Sequence, residues 1–202
     1  MILGAAMEMD ALSGLASNIA RLRRRDPDAI TAVISQYQHR LFRYLVRLAG
    51  DPAAAEDLFQ NTWLVVMEKI GRYDARRSFE PWLFTVARNQ AIDFLRRRRG
   101  ETLDTADECE VSRAERLPSA GPDALEQLLD FERSAMVAAS LAGLTAIHRE
   151  VLTLRFEEGM KLEEIAEVLG IPLPTVKSRL SRALEGLRAG VETRSKGRRA
   201  HE

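Results

Sequence analysis

Phe79-Glu80-Pro81-Trp82-Leu83-Phe84-Thr85-Val86-Ala87-Arg88-Asn89-Gln90-Ala91-Ile92-Asp93-Phe94-Leu95-Arg96-Arg97-Arg98-Arg99 reads as one helix whose two faces are written for two different environments. At about 100° per residue, Leu83, Val86, Ala87, Ala91, Phe94 and Leu95 make an apolar stripe that must be buried. Thr85, Arg88, Asn89, Ile92 and Arg96 point away from it, and Trp82 sits at the seam. Taken singly, Trp82 is a core residue and Arg96 to Arg99 a solvated helix end. Together, an aromatic, an amide and a run of arginines are what a protein needs to stack on an unpaired base and hold its phosphates.

Working outward, nearly every other segment is also helical in pattern. Period-two alternation is almost absent and Ala, Leu, Arg and Glu dominate, so the fold class is all-α, as two small helical domains. Asp26-Pro27 and Asp51-Pro52 each set a capping residue before a proline suited to the first helical position. They start helices over Pro27 to Leu48 and Pro52 to Ile70. The loop Gly71 to Ser78 leads into the quoted helix. Past Gly100 the periodicity stops and acids, Pro118, Gly121 and Pro122 mark a linker. Asp123 caps a helix to about Ala142, and Leu144 to Phe156 forms another with Ile147, Val151, Leu154 and Phe156 near one face. The boundaries read as an N-terminal extension at 1–24, a first domain at 25–99, an acidic linker at 100–122, a second domain at 123–190 and a basic tail at 191–202.

The formal net charge of +0 is a sum of opposites. Residues 1–100 carry 16 Lys+Arg against 11 Asp+Glu, residues 101–143 carry 3 against 10, and residues 144–202 carry 11 against 9. Two locally basic blocks flank an acidic middle, so the balanced total does not argue against a nucleic-acid partner. Cys109 is the only cysteine, which excludes an internal disulfide and a multi-cysteine metal site; its acidic neighbours Glu108 and Glu110 disfavour a reactive thiolate. No segment approaches the roughly 20 apolar residues of a membrane span. Met1 to Ala6 lacks a charged leader and soon meets Glu8 and Asp10, so a secretory signal is not expected and the cytoplasm is. His39, His148 and His201 are scattered, without metal-like spacing or a catalytic partner. No cofactor, metal, small-molecule substrate or catalytic residue is expected, and the chain is not read as an enzyme.

A second nucleic-acid signal lies near the C-terminus. Leu162 to Leu169, a turn containing Gly170, and a helix from Pro174 to about Ala189 match a helix-turn-helix, whose second helix lies in a DNA major groove. Val176, Leu180, Ala183, Leu184 and Leu187 are expected inward. Ser178, Ser181, Arg182 and Glu185 are expected outward, with Lys177 and Arg179 on the flanks. Residues 174–202 carry 8 Lys+Arg against 3 Asp+Glu. Arginine bonds a guanine edge bidentately, and lysine and serine suit phosphates or edges.

Three stretches together resemble one family, the bacterial RNA polymerase sigma factors of the extracytoplasmic-function (ECF) group. Ala55-Glu56-Asp57-Leu58-Phe59-Gln60-Asn61-Thr62-Trp63 is similar to that family's core-polymerase-binding helix, Trp82 through Arg96 to its promoter-melting helix, and His148 to Leu152 through Thr175 to Arg179 to its fourth region. The resemblance covers roughly 30–99 and 123–189. It implies a dissociable specificity subunit of RNA polymerase, with core polymerase and promoter DNA as partners and an anti-sigma factor as regulator. Polymerase docking then falls to Asp57, Gln60, Asn61 and Leu64, although the family more often has an acid where Asn61 stands. Capture of the minus-ten element falls to Tyr73, Arg76, Arg77, Ser78, Trp82, Arg88, Asn89 and Arg96. Reading of the minus-thirty-five duplex falls to Thr175, Lys177, Ser178, Arg179, Ser181 and Arg182.

Two alternatives stand beside this reading: a conventional helix-turn-helix regulator, which leaves Trp82, Asn89 and the arginine run unexplained, and a sigma-like decoy that binds an anti-sigma factor and never touches DNA. The linker's acids also permit transient cover of the basic residues, screened by salt within about 10 Å at 0.1 M. Neutralising Glu101, Asp104, Asp107, Glu108, Glu110 and Glu115 is then expected to raise non-specific DNA affinity at low salt and leave polymerase binding unchanged. Unchanged affinity in a low-salt titration reduces the linker to a passive spacer.

Overall fold

Asp26 and Asp51 open their helices through their own carboxylates. Asp26 accepts the amides of Asp28 and Ala29 at 3.0 and 3.3 Å, and Asp51 accepts that of Ala53 at 3.1 Å, each with proline in the first turn. The computed structural model describes residues 17–101 and 137–199, among which every regular element is helical. The chain divides into two compact units. The first contains α1 (17–23), α2 (Pro27–Ala49), α3 (Pro52–Lys69), a 3-10 turn at Ile70–Arg72 and α4 (Phe79–Glu101). The second contains α5 (137–142), α6 (Ala146–Leu152), α7 (Leu162–Leu169) and α8 (Leu173–Arg199).

Helix α2 ends at Gly50, whose φ of 71° is the left-handed conformation glycine adopts without a Cβ penalty; its amide donates to the Val46 carbonyl at 2.9 Å. The connection to α3 is too short for anything but an antiparallel neighbour. Helix α4 packs against both, so its buried arc is wider than one stripe. Phe84, left out of the expected apolar face, is therefore fully buried, with its ring 5.1 Å from that of Tyr44 and the Arg40 guanidinium 5.9 Å from its centre. Arg40 also forks onto Glu80, Nη1 to Oε2 at 3.1 Å and Nη2 to Oε1 at 2.5 Å, joining α2 to the start of α4.

The described end of the segment read as an N-terminal extension, from residue 17 on, joins this core. Ile19 and Leu22, three apart on α1, pack into the same cluster as Val33, Tyr37 and Tyr73. Two apolar residues in an arginine-rich run are too faint a pattern to mark a packed helix from sequence.

In the second unit Val151, Leu154, Ile165, Val176 and Ala183 are fully buried. After α6 the backbone widens to a π turn at Thr153–Glu157, the Glu158 amide reaching back five residues to the Thr153 carbonyl at 3.0 Å. Phe156, expected on the buried face, stands 63% exposed, because at about 100° per residue it falls nearly opposite the buried Val151 and Leu154; Ile147, in the first turn of α6, is 49% exposed. Leu184, expected inward, is also exposed. It lies roughly 70° from the centre of the Val176–Leu180–Ala183–Leu187 stripe, on the flank of the helix. Helix α8 runs on to Arg199, through part of the stretch read as a basic tail, because no proline follows Pro174 and the residues there are largely helix formers. The linker from 102 on, Cys109, the Asp123 cap and His201 lie outside the described residues.

Phe84→Ala is expected to destabilise the first unit by about 3–5 kcal/mol, whereas Leu64→Ala, on an exposed face, should change it by less than about 0.5 kcal/mol. Thermal unfolding checks both; the reverse order would mean that the buried and exposed faces are exchanged. The fold also carries an acid sensitivity. The hydrogen bond from Arg21 and those from the helix amides hold the Asp26 carboxyl below the usual carboxylate range. A depressed folded value makes this contribution complete above that range and removes it as pH falls through the lowered value. Asp26→Asn, which keeps the cap, is expected to flatten the acid limb of the unfolding temperature against pH.

Candidate nucleic-acid interfaces

Helix α4 presents a line of residues at helical spacing on its exposed side. Trp82, Thr85, Asn89, Asp93 and Arg96 fall within about 80° of one another around its axis, with Ile92 and Arg88 alongside. Asn89 and Arg96 are exposed, whereas Trp82, Thr85, Arg88 and Ile92 are half-buried. The Thr85 hydroxyl donates to the Pro81 carbonyl at 2.7 Å, and Arg96 approaches Asp93 at 3.6 Å, an exposed pair that competes weakly with another anion. Asn89 thus stands between an aromatic edge and a guanidinium.

Trp82 is held from beneath. Its ring lies 4.9 Å from Tyr73 and 5.6 Å from Phe79, while Tyr37 and Tyr73 each lie 5.7 Å from Phe79. Burial, reinforced by the Glu80 carboxylate, pushes the Tyr37 phenol up. Tyr73 does not belong with the expected DNA contacts as an exposed ring: it is 4% exposed, and its hydroxyl donates to the Arg77 carbonyl. Its work is to hold the loop. Asp74 shapes the next turn by accepting the Arg76 amide on its carboxylate and the Arg77 amide on its carbonyl, both at 3.0 Å. Arg76, Arg77 and Ser78 are exposed on that turn, beside the start of α4.

Helix α3 offers a different surface. Asp57, Gln60, Asn61 and Leu64 follow the i, i+3, i+4, i+7 pattern and all are exposed, with Glu68 extending the line. Leu64 is 64% exposed, an apolar side chain among polar and acidic ones on a face that none of the described residues covers. Opposite it, Leu58, Thr62 and Val66 are buried.

The helix-turn-helix is formed by α7 and α8. The Lys161 amide donates to the Glu164 carboxylate at 2.8 Å, starting α7. Gly170, at φ 64°, ends it with paired bonds, its own amide to the Glu167 carbonyl at 3.2 Å and that of Ile171 to Ala166 at 3.1 Å. The Pro172 carbonyl accepts the amides of Thr175 and Val176 at 2.9 and 3.2 Å, opening α8. Lys177, Ser178, Ser181 and Arg182 are exposed, and Thr175 and Arg179 are half-buried together on one flank. The Ser181 hydroxyl donates to Glu185 at 2.9 Å, which places a carboxylate on the outward face. Among the described residues no group of His, Cys, Asp and Glu is arranged to hold a metal ion, and no helix is long and apolar enough to cross a membrane.

Residues 33–101 match the family Sigma-70 region 2, and residues 140–189 match Sigma-70, region 4. The chain is 38% identical over 183 residues to the ECF RNA polymerase sigma factor SigL of Mycobacterium tuberculosis, spanning 89% of this chain and 94% of that one. It is 26% identical over 173 residues to the ECF RNA polymerase sigma factor SigW of Bacillus subtilis, spanning 84% and 92%. Among solved structures, the sigma factor RpoE in complex with the anti-sigma factor NepR from Bartonella quintana is similar with a TM-score of 0.64 at 26% identity, over 80% of this chain and 96% of that one.

Proposed function

We infer what each unit does from one premise: this chain belongs to the ECF group of RNA polymerase sigma factors. It is an alternative sigma factor, a subunit that directs core polymerase to promoters. The finer division of labour is our reading of the faces. The α3 stripe of Asp57, Gln60, Asn61 and Leu64 docks on core polymerase. The α4 line and the 76–78 turn hold the unpaired non-template strand of the minus-ten element, Trp82 giving a ring edge and Asn89 a donor and acceptor for a base. The outward face of α8 reads the minus-thirty-five duplex. Duplex is read through groove edges, whereas a base can be held by its edge and face only once it leaves the stack.

The observation that carries this reading is that one chain bears, in separate units, a helix-turn-helix with exposed lysine, serine and arginine on its second helix and a half-buried tryptophan aligned with an exposed amide and arginines. No chemical step is assigned to this chain; bond making belongs to the polymerase. Its place of action is the cytoplasm, where polymerase and DNA are. An anti-sigma protein is the proposed regulator, by analogy with the relative solved in such a complex.

Run-off transcription with core polymerase on genomic fragments tests the assignment and maps the promoter; no specific transcript in the chain's presence would sink it. Charge reversal at Asp57 with Gln60→Ala and Leu64→Ala is expected to lower co-purification with polymerase while the circular dichroism melt is retained. Arg182→Ala should cost about 1–3 kcal/mol of duplex recognition and relax preference at one base pair if it contacts a base edge. Loss spread evenly over all promoters, with a flatter salt dependence, would make it a phosphate contact instead. Asn89→Ala should spare the closed complex and impair opening, so a premelted template separates it from Arg182→Ala. Identical behaviour of the two variants on both templates would contradict the division of labour.

A further inference from the structure

Arg23 lies on α1, outside the stretch that matches region 2, and its side chain reaches across the unit to the segment that precedes the DNA-facing turn. Its Nε donates to the Ile70 carbonyl at 3.3 Å, and its Nη2 donates to the Tyr73 carbonyl. These carbonyls lie at the C-terminal end of α3 and the 3-10 turn, where a cation is favoured; that of Ile70 also accepts the Tyr73 amide at 3.2 Å. Tyr73 in turn donates its hydroxyl to the Arg77 carbonyl and rests its ring on Trp82. One guanidinium thus fixes the residue that connects the 76–78 turn to the Trp82 ring.

Helix α1 is anchored for such a role. Ile19 and Leu22 are buried in the core, and Arg25 takes a left-handed φ of 59°, which costs a non-glycine residue energy and is retained only where neighbouring contacts hold it. Those contacts are the Asp26 amide on the Arg21 carbonyl at 3.2 Å and the Arg21 guanidinium on the Asp26 carboxylate at 2.9 Å. The fork geometry of arginine suits two separated carbonyls, which a single lysine ammonium cannot span equally well.

We propose that Arg23 is a positioning residue for minus-ten capture, setting the turn at 76–78 and the Trp82 edge through Tyr73 without itself touching DNA. The proposal rests on the minus-ten reading of α4 given above. It leads to a specific pattern of loss. Placement of the turn matters only when an unpaired strand is held, whereas polymerase docking by α3 and duplex reading by α8 use other surfaces.

The test uses holoenzyme assembled from core polymerase and the full-length chain, with a promoter fragment mapped by run-off and either fully paired or premelted across the minus-ten element. Arg23→Ala is expected to weaken binding to the premelted fragment by about five- to tenfold, as for loss of a charged hydrogen bond to an ordering contact, with core-polymerase affinity and closed-complex binding within about twofold. Arg23→Lys should recover part of the loss, and Arg24→Ala, an equal change of charge in the turn that follows α1, should match the parent. Hydrogen exchange of the free chain should show faster exchange over 71–78 in Arg23→Ala and in Tyr73→Phe. Undiminished premelted binding by Arg23→Ala, while the parent holoenzyme prefers that template, overturns the proposal alone. Equal losses in all three binding measurements with a lowered melting temperature overturn it in favour of a general structural role. A parent holoenzyme with no preference for the premelted fragment overturns the minus-ten reading of α4, and this proposal with it.

Discussion

The first unit depends on the packing of four aromatic rings, Tyr37, Tyr73, Phe79 and Trp82, at the junction where the 70–78 segment becomes α4. Phe79 sits between Tyr37 of α2 and Trp82 of its own helix, and Tyr73 closes over both Phe79 and Trp82. This arrangement fixes where α4 begins and how it is rotated, because turning the helix would expose Phe79 or Phe84. The Arg40–Glu80 fork adds a directional constraint beside a non-directional one. With α4 rotation fixed, Trp82, Asn89 and Arg96 must face outward together. The exposed line is therefore a consequence of the buried one.

Much of this was legible in the sequence, for local reasons. Aspartate before proline fixes a helix start, and glycine where φ is positive fixes an end, so α2, α3, α7 and the turn before α8 could be placed from a few residues each. The burial of Leu83, Val86, Ala87 and Ala91 follows from spacing alone. What spacing does not encode is how many neighbours a helix has. Phe84 is buried because α4 meets two helices rather than one, and Leu184 is exposed because only a narrow stripe of α8 is covered. Phe156 faces outward because it falls nearly opposite Val151 and Leu154 around the helix, a placement that a stricter count of the spacing gives. Tyr73 could be assigned to the right loop but not to the right side of it.

The interaction surfaces differ in sign within one molecule of balanced charge. The α3 stripe carries Asp57 and Glu68 around the exposed Leu64, whereas the outward faces of α4 and α8 carry arginine and lysine. A chain with one strongly basic field would bind DNA anywhere, since phosphate contacts supply affinity without sequence. Here Asp93 stands beside Arg96, and Glu185 beside Ser181, so even the helices proposed to face DNA carry acids that oppose phosphate. Each such acid lowers non-specific attraction more than it lowers recognition of a base edge, because the former is the longer-ranged term.

That balance suits a subunit meant to act only when joined to another. Each unit offers a small surface, and a small surface alone gives weak binding once the loss of translational and rotational freedom is counted. If α3 first ties the chain to polymerase, the second unit meets its duplex as an intramolecular event, at the effective concentration set by the connecting segment rather than by the solution. Specificity then arises from two modest contacts that must be satisfied at once, and neither has to be strong enough to hold the free chain on DNA. The restrained charge of the helices proposed to face DNA is the physical condition for that arrangement: a stronger basic field would raise the affinity of the isolated units and remove the dependence on polymerase.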